Sequence, residues 1–137
     1  MPEFHIDLGE TPHVYAALDK FTQGYIEAAF FTESGDPDRA CEDRTFSDLA
    51  PETLSRMLQD CTDFNLRADA WLGKAYLHDD MSYDMHRAGV DFWLTRNHHG
   101  AGFWDRDLGV AGDKLTEIAH SFGEVALYVG DDGLIYA

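Results

Sequence analysis

The sequence predicts an α+β fold: two long helices plus shorter ones packed on an antiparallel sheet of roughly four strands built from two hairpins. Three observations predict it. Apolar residues recur at three- and four-residue steps over 13–33 and 47–77, the period of amphipathic helices. Aromatic residues alternate with a period of two at the start of the stretch 91–106. Near the C-terminus an Asp-Gly turn separates two runs of β-forming residues, a hairpin signal. No internal repeat or linker divides the chain, so residues 1–137 read as a single domain.

Each element has its own local reason. In residues 1–10, Phe4, Ile6 and Leu8 alternate weakly against His5, Asp7 and Gly9, the pattern of an N-terminal arm or an added edge strand. Thr11 as N-cap and Pro12 at the first helical position start the helix over 13–33. Val14, Leu18, Phe21 and Tyr25 form its stripe, and Gly24, a poor helix former, predicts close packing against another element. The breaker cluster Ser34-Gly35-Asp36-Pro37-Asp38 then opens a long acidic loop. Ser47 or Asp48 caps the second long helix, Pro51 suits its first turn, and Leu54, Met57, Cys61, Phe64, Ala68, Leu72 and Tyr76 carry its stripe to about Leu77. A short helix over 83–88 is expected to stop at Gly89.

The stretch 91–106 reads as the central hairpin. Phe92 and Leu94 alternate with Trp93 and Thr95, Asn97–Gly102 supplies turn residues, and Phe103-Trp104 resumes the aromatic pattern. An amphipathic helix follows over 108–122, with Gly123 as its stop. The C-terminal hairpin runs from Glu124 to Tyr136 around Gly130-Asp131-Asp132-Gly133.

Composition narrows the function classes. The 45% apolar and 13% aromatic content fit a folded globule rather than an acidic tail. Twenty-six Asp and Glu against ten Lys and Arg give a net charge of −16. That field repels phosphates and anionic lipid, and it attracts a basic groove on another protein. No apolar run approaches the roughly 20 residues of a membrane span. The N-terminus lacks the basic and apolar regions of a signal peptide, so a cytoplasmic protein is expected. Cys41 and Cys61 have no zinc or CxxC spacing and read as reduced thiols, a single disulfide being the other arrangement they allow.

The run Phe92-Trp93-Leu94-Thr95-Arg96-Asn97, followed by His99-Gly100 and Gly102-Phe103-Trp104-Asp105-Arg106, resembles a family of small acidic, largely uncharacterised proteins encoded by phages, prophages and plasmids. Leu49-Ala50-Pro51-Glu52-Thr53-Leu54, Gly24-Tyr25-Ile26-Glu27-Ala28-Ala29 and Tyr128-Val129-Gly130-Asp131-Asp132-Gly133 extend the similarity over most of the chain from about residue 20. Where that family usually has Gly and His, this chain has His98 and Val90. The resemblance implies a mobile-element accessory protein and implies no particular activity.

Two chemistries compete for the function. The leading expectation is a non-enzymatic protein that binds a host protein through its acidic surface, in the manner of a DNA mimic that inhibits CRISPR or restriction machinery. Glu33, Asp36, Asp38, Glu42, Asp43 and Asp48 are the candidate contact residues, because carboxylates are densest there. The alternative is a small hydrolase or ligand-binding domain at 91–106, with His99 as acid–base group, Asp105 or Asp91 as its partner and Arg96 as anion holder. His78, Asp79, Asp80, Asp84 and His86 cluster near His98 and His99, but they lack HExxH or EF-hand spacing, so neither a metal nor another cofactor is expected.

Overall fold

Packed helices organise the molecule in the computed structural model, which describes residues 15–33, 46–78 and 83–137. A helical turn over 15–17 precedes α1 (Lys20–Glu33). A 3-10 turn (Phe46–Asp48) leads to α2 (Pro51–Arg67), α3 (Asp69–Tyr76) and α4 (Met85–Arg96). A second 3-10 turn (Phe103–Asp105), α5 (Val110–His120), β1 (Tyr128–Val129) and β2 (Ile135–Tyr136) complete the order.

Side-chain caps fix two helix starts. Asp19 Oδ1 accepts from the Thr22 N–H at 2.7 Å, and Asp84 Oδ1 accepts from the Arg87 N–H at 2.9 Å. The expected helix over 47–77 is present as α2 and α3, bent at Ala68, whose φ is −105°. The hydrogen-bond ladder closes on either side of that bend, with Ala68 N–H reaching Phe64 O and Leu72 N–H reaching Ala68 O, both at 2.8 Å.

The structure overturns the four-stranded sheet. Residues 91–96 are the C-terminal half of α4, and the sheet among the described residues is the two-stranded antiparallel β1–β2 pair, in register Tyr128↔Tyr136 and Val129↔Ile135. The physical reason is position. Helix α4 is packed on several sides, so Ala88, Gly89, Asp91, Phe92, Trp93, Thr95 and Arg96 are all buried. A helix enclosed in this way shows no single apolar stripe, and its aromatic alternation passes for a strand. Gly89 likewise does not stop a short helix over 83–88. It lies inside α4 at a crossing with α1, where an added Cβ would sit 1.8 Å from Phe21 O. On the facing helix a Cβ at Gly24 would sit 2.2 Å from His86 O. The two glycines let the backbones touch, as expected for Gly24.

Aromatic rings fill the interior that α4 crosses. Phe64 stacks on Phe92 at 4.2 Å and on Phe103 at 5.6 Å, and Trp93 meets Tyr25 edge-on at 5.3 Å. The C-terminal hairpin is present but short. It is tied back to the start of α2, where Ile135 O accepts from Ala50 N–H at 3.0 Å and from Thr53 Oγ1 at 2.8 Å. The expected N-terminal arm and residues 34–45 of the acidic loop lie outside the described residues.

Candidate functional site

The motif stretch carries two charged networks, both inside the fold. Asp91, with a fully buried side chain, is gripped by Arg106, whose Nη2 donates to Oδ1 at 2.7 Å and whose Nε reaches both oxygens at 3.1 Å. Tyr83 OH donates to Asp91 Oδ2 at 2.6 Å. The bond to Asp91 holds the Arg106 guanidinium above its ordinary pKa, while burial, and then Asp91, pushes the Tyr83 hydroxyl far up. This carboxylate is fully used by the fold.

Arg96 is the second hub. Its Nη1 donates to Asp60 at 2.8 Å and Tyr25 OH at 3.0 Å, its Nε to Gly123 O at 2.8 Å, and its Nη2 to Phe122 O at 3.0 Å. Burial works against its charge, but Tyr25 and Asp60 outweigh that and raise its pKa. Four of its five N–H groups are engaged and the residue is 2% exposed. Arg96 is thus a clamp between α4, α2 and the turn after α5, not an open anion holder.

The other expected site residues lie apart from this clamp. His99 is half-buried in the turn after α4 and donates its backbone N–H to Leu94 O at 2.9 Å. Asp105 is exposed in the second 3-10 turn. No hydrogen bond joins His99, Arg96 and Asp105 to one another among the described residues. Of the acidic candidates, Glu33 ends α1, Asp48 is half-buried in the first 3-10 turn, and Asp36, Asp38, Glu42 and Asp43 lie outside the described residues. Cys61 is a buried thiol not joined in a disulfide, and burial pushes its pKa up, which suppresses the reactive thiolate.

Two arrangements were not anticipated from the sequence. The first is Glu27 on α1, which accepts from Tyr15 OH and is 3.0 Å from His86 Nε2 on α4. Burial acts to raise the Glu27 pKa, but these hydrogen bonds win and hold it below the ordinary range. His86 also lines an open cleft of about 440 Å³ with Lys20, Asp84 and Met85. The partners come from helices 59 residues apart, so no local spacing could have announced the pair.

The second is the distribution of exposed charge. Twelve Asp or Glu are exposed among the described residues, against six Lys or Arg. Seven of those carboxylates fall between 105 and 132: Asp105, Asp107, Asp113, Glu117, Glu124, Asp131 and Asp132. The cations of that stretch are Arg106, committed to Asp91, and the half-buried Lys114. Charge count along the sequence marks this stretch as well, though carboxylates are denser in 33–48. No family model, curated protein or solved structure matches the chain.

Proposed function

We propose that the protein is a non-enzymatic mobile-element accessory protein of the bacterial cytoplasm that binds a host protein with a basic groove, acting as a DNA-mimic-like inhibitor of a defence nuclease of the CRISPR or restriction type. One observation carries the reading: the exposed carboxylates of 105–132 outnumber the cations of that stretch, since Arg106 is paired with Asp91 and, of the seven, Glu124 lies 3.7 Å from His98 Nε2. Such a surface steers toward a cationic groove by the same Coulomb attraction that phosphate exerts. The resemblance at Phe92–Arg106 supplies the mobile-element context.

The test is competition. Labelled duplex DNA bound to a purified restriction nuclease or RNA-guided nuclease is titrated with the protein, at low salt and at about 0.5 M salt, where charge screening acts within roughly 4–5 Å. Displacement is expected at low salt, with loss at high salt. It is also expected to weaken about tenfold or more in the variant Asp113→Asn/Glu117→Gln/Glu124→Gln/Asp131→Asn. Displacement that survives both changes would sink the acidic-surface reading.

A second reading, a small ligand-binding or hydrolytic domain, is favoured by the Glu27–His86 pair beside its cleft. A hydrogen-bonded carboxylate fixes the tautomer of a histidine that acts as a base. It predicts that turnover of simple carboxylate or phosphate esters disappears in His86→Ala and persists in His99→Ala.

A further inference from the structure

Trp104 is set apart from the other two tryptophans by its surroundings. Trp93 is buried, meets Tyr25 edge-on and donates its indole N–H to Thr32 Oγ1 at 2.9 Å. Trp71 is half-buried, with the Lys74 ammonium 5.9 Å from its ring centre. Trp104 is 52% exposed, and among the described residues no aromatic ring, cation or hydrogen-bond acceptor engages its indole.

The fold nevertheless holds that ring in place. Phe103, on one side of it, is fully buried, stacks on Phe64 and donates its N–H to Thr95 Oγ1 at 3.1 Å. Beyond it in the chain, Arg106 grips Asp91. Gly102 gives the indole room, since a Cβ added there would sit 3.2 Å from Trp104 Nε1 and 2.3 Å from Thr95 Oγ1. A large ring on a fixed turn loses little freedom on binding, which is the property of an interface anchor.

Charge decides what can cover it. Asp105 and Asp107 follow Trp104 closely in the chain and are exposed, and neither forms an ion pair among the described residues. Arg106, the cation between them, is committed to Asp91. Carboxylates beside a ring repel phosphate and attract a cation, which the face of an indole also favours. Guanidinium suits both groups better than ammonium does, because it is planar, weakly hydrated and forks its N–H groups toward carboxylate.

We propose that Trp104, Asp105 and Asp107 form a seat for an arginine side chain of a partner protein, with the guanidinium on the indole face and its N–H groups donating to the carboxylates. A nucleotide offers the same pair, a flat ring beside an anion, to the arginines of a nucleic-acid groove. This seat belongs to the acidic surface proposed as the binding face, rests on that reading, and adds the chemistry of its partner.

The test is a magnetic-resonance titration of the isotope-labelled chain with a blocked peptide of alternating arginine and glycine, and with its lysine counterpart, at about 0.05 M salt, where screening is weak. The arginine peptide is expected to shift the Trp104 indole N–H resonance, identified by its loss in Trp104→Ala. It is also expected to bind about threefold or more tighter than the lysine peptide, the scale of an exposed cation–π contact. Trp104→Ala is expected to abolish that preference, and Trp104→Phe, which keeps a ring on the turn, to retain part of it. Asp105→Asn/Asp107→Asn is expected to weaken both peptides. Equal binding of the two peptides to the natural chain overturns the seat and leaves the acidic surface standing, as does an arginine preference that survives Trp104→Ala. Binding of neither peptide overturns both, and so does a Trp104 resonance that single-stranded DNA shifts in place of the arginine peptide.

Discussion

Asp91 is a charge that the interior holds only because Arg106 and Tyr83 answer it. Removing one partner of a buried pair leaves the other charge without solvent or counter-ion, which costs about 3–5 kcal/mol when both are fully buried. The Arg106 side chain is 34% exposed, so some water can replace it. Arg106→Ala is therefore expected to lower stability by about 2–3 kcal/mol in urea unfolding, below the fully buried range. A change under about 0.5 kcal/mol, the scale of an ordinary surface substitution, would refute the assignment. Glu27 supplies the pH-dependent counterpart. Its folded pKa is depressed, so its contribution is present above the ordinary glutamate value of about 4.3 and is lost as pH falls through the lower folded value. The gap in melting temperature between the natural chain and Glu27→Gln is expected to be open at about pH 7 and to shrink progressively as pH falls below about 4.3. A gap independent of pH would show that the carboxylate charge is not what joins Tyr15 and His86. Neither network was legible in the sequence. Asp91 and Arg96 look there like the two ends of a strand, and their partners Arg106 and Asp60 lie 15 and 36 residues away.

The α1–α4 crossing decides the architecture among the elements. Two glycines on facing helices remove the Cβ atoms that would hold the backbones apart, and the aromatic rings of Phe92 and Trp93 then reach Phe21 and Tyr25. Gly89→Ala places a methyl group against the Phe21 carbonyl and is expected to cost about 3 kcal/mol, the upper part of the overpacking range. Gly73→Ala, with open space around it, is expected to add about 0.5–1 kcal/mol through helix propensity alone. Thermal melts of the two variants should therefore move in opposite directions, and movement in the same direction would refute this account of the crossing. The amphipathic elements could be read from their period. Helices α1, α2–α3 and α5 fall within their expected spans, and the Asp-Gly turn marks the C-terminal hairpin. The element that failed was α4, because a helix buried on several sides has no solvent face to write a helical stripe into the sequence.

The described residues form a helical body with twelve exposed Asp or Glu against six exposed Lys or Arg, in a chain of net charge −16, while the pairs Asp91–Arg106 and Asp60–Arg96 cancel within the fold. Self-repulsion of that size opposes the compact state, and salt relieves it within a Debye length of about 8 Å at physiological ionic strength. The melting temperature is thus expected to rise by a few degrees between about 0.02 and 0.3 M sodium chloride, where screening steepens. A fall would mean that attractive surface pairs outweigh the excess of carboxylates. Among the described residues no helix is long and apolar enough to cross a membrane. By itself the sequence determined the charge, the amphipathic helices and the C-terminal turn, because each is a property of local composition or period. Only the tertiary structure decided that 91–96 is helical, that Arg96 is buried against Asp60 and Tyr25, and that Arg106 is committed to Asp91. Those outcomes depend on which distant groups meet in a low-dielectric interior, and a linear pattern does not record such meetings.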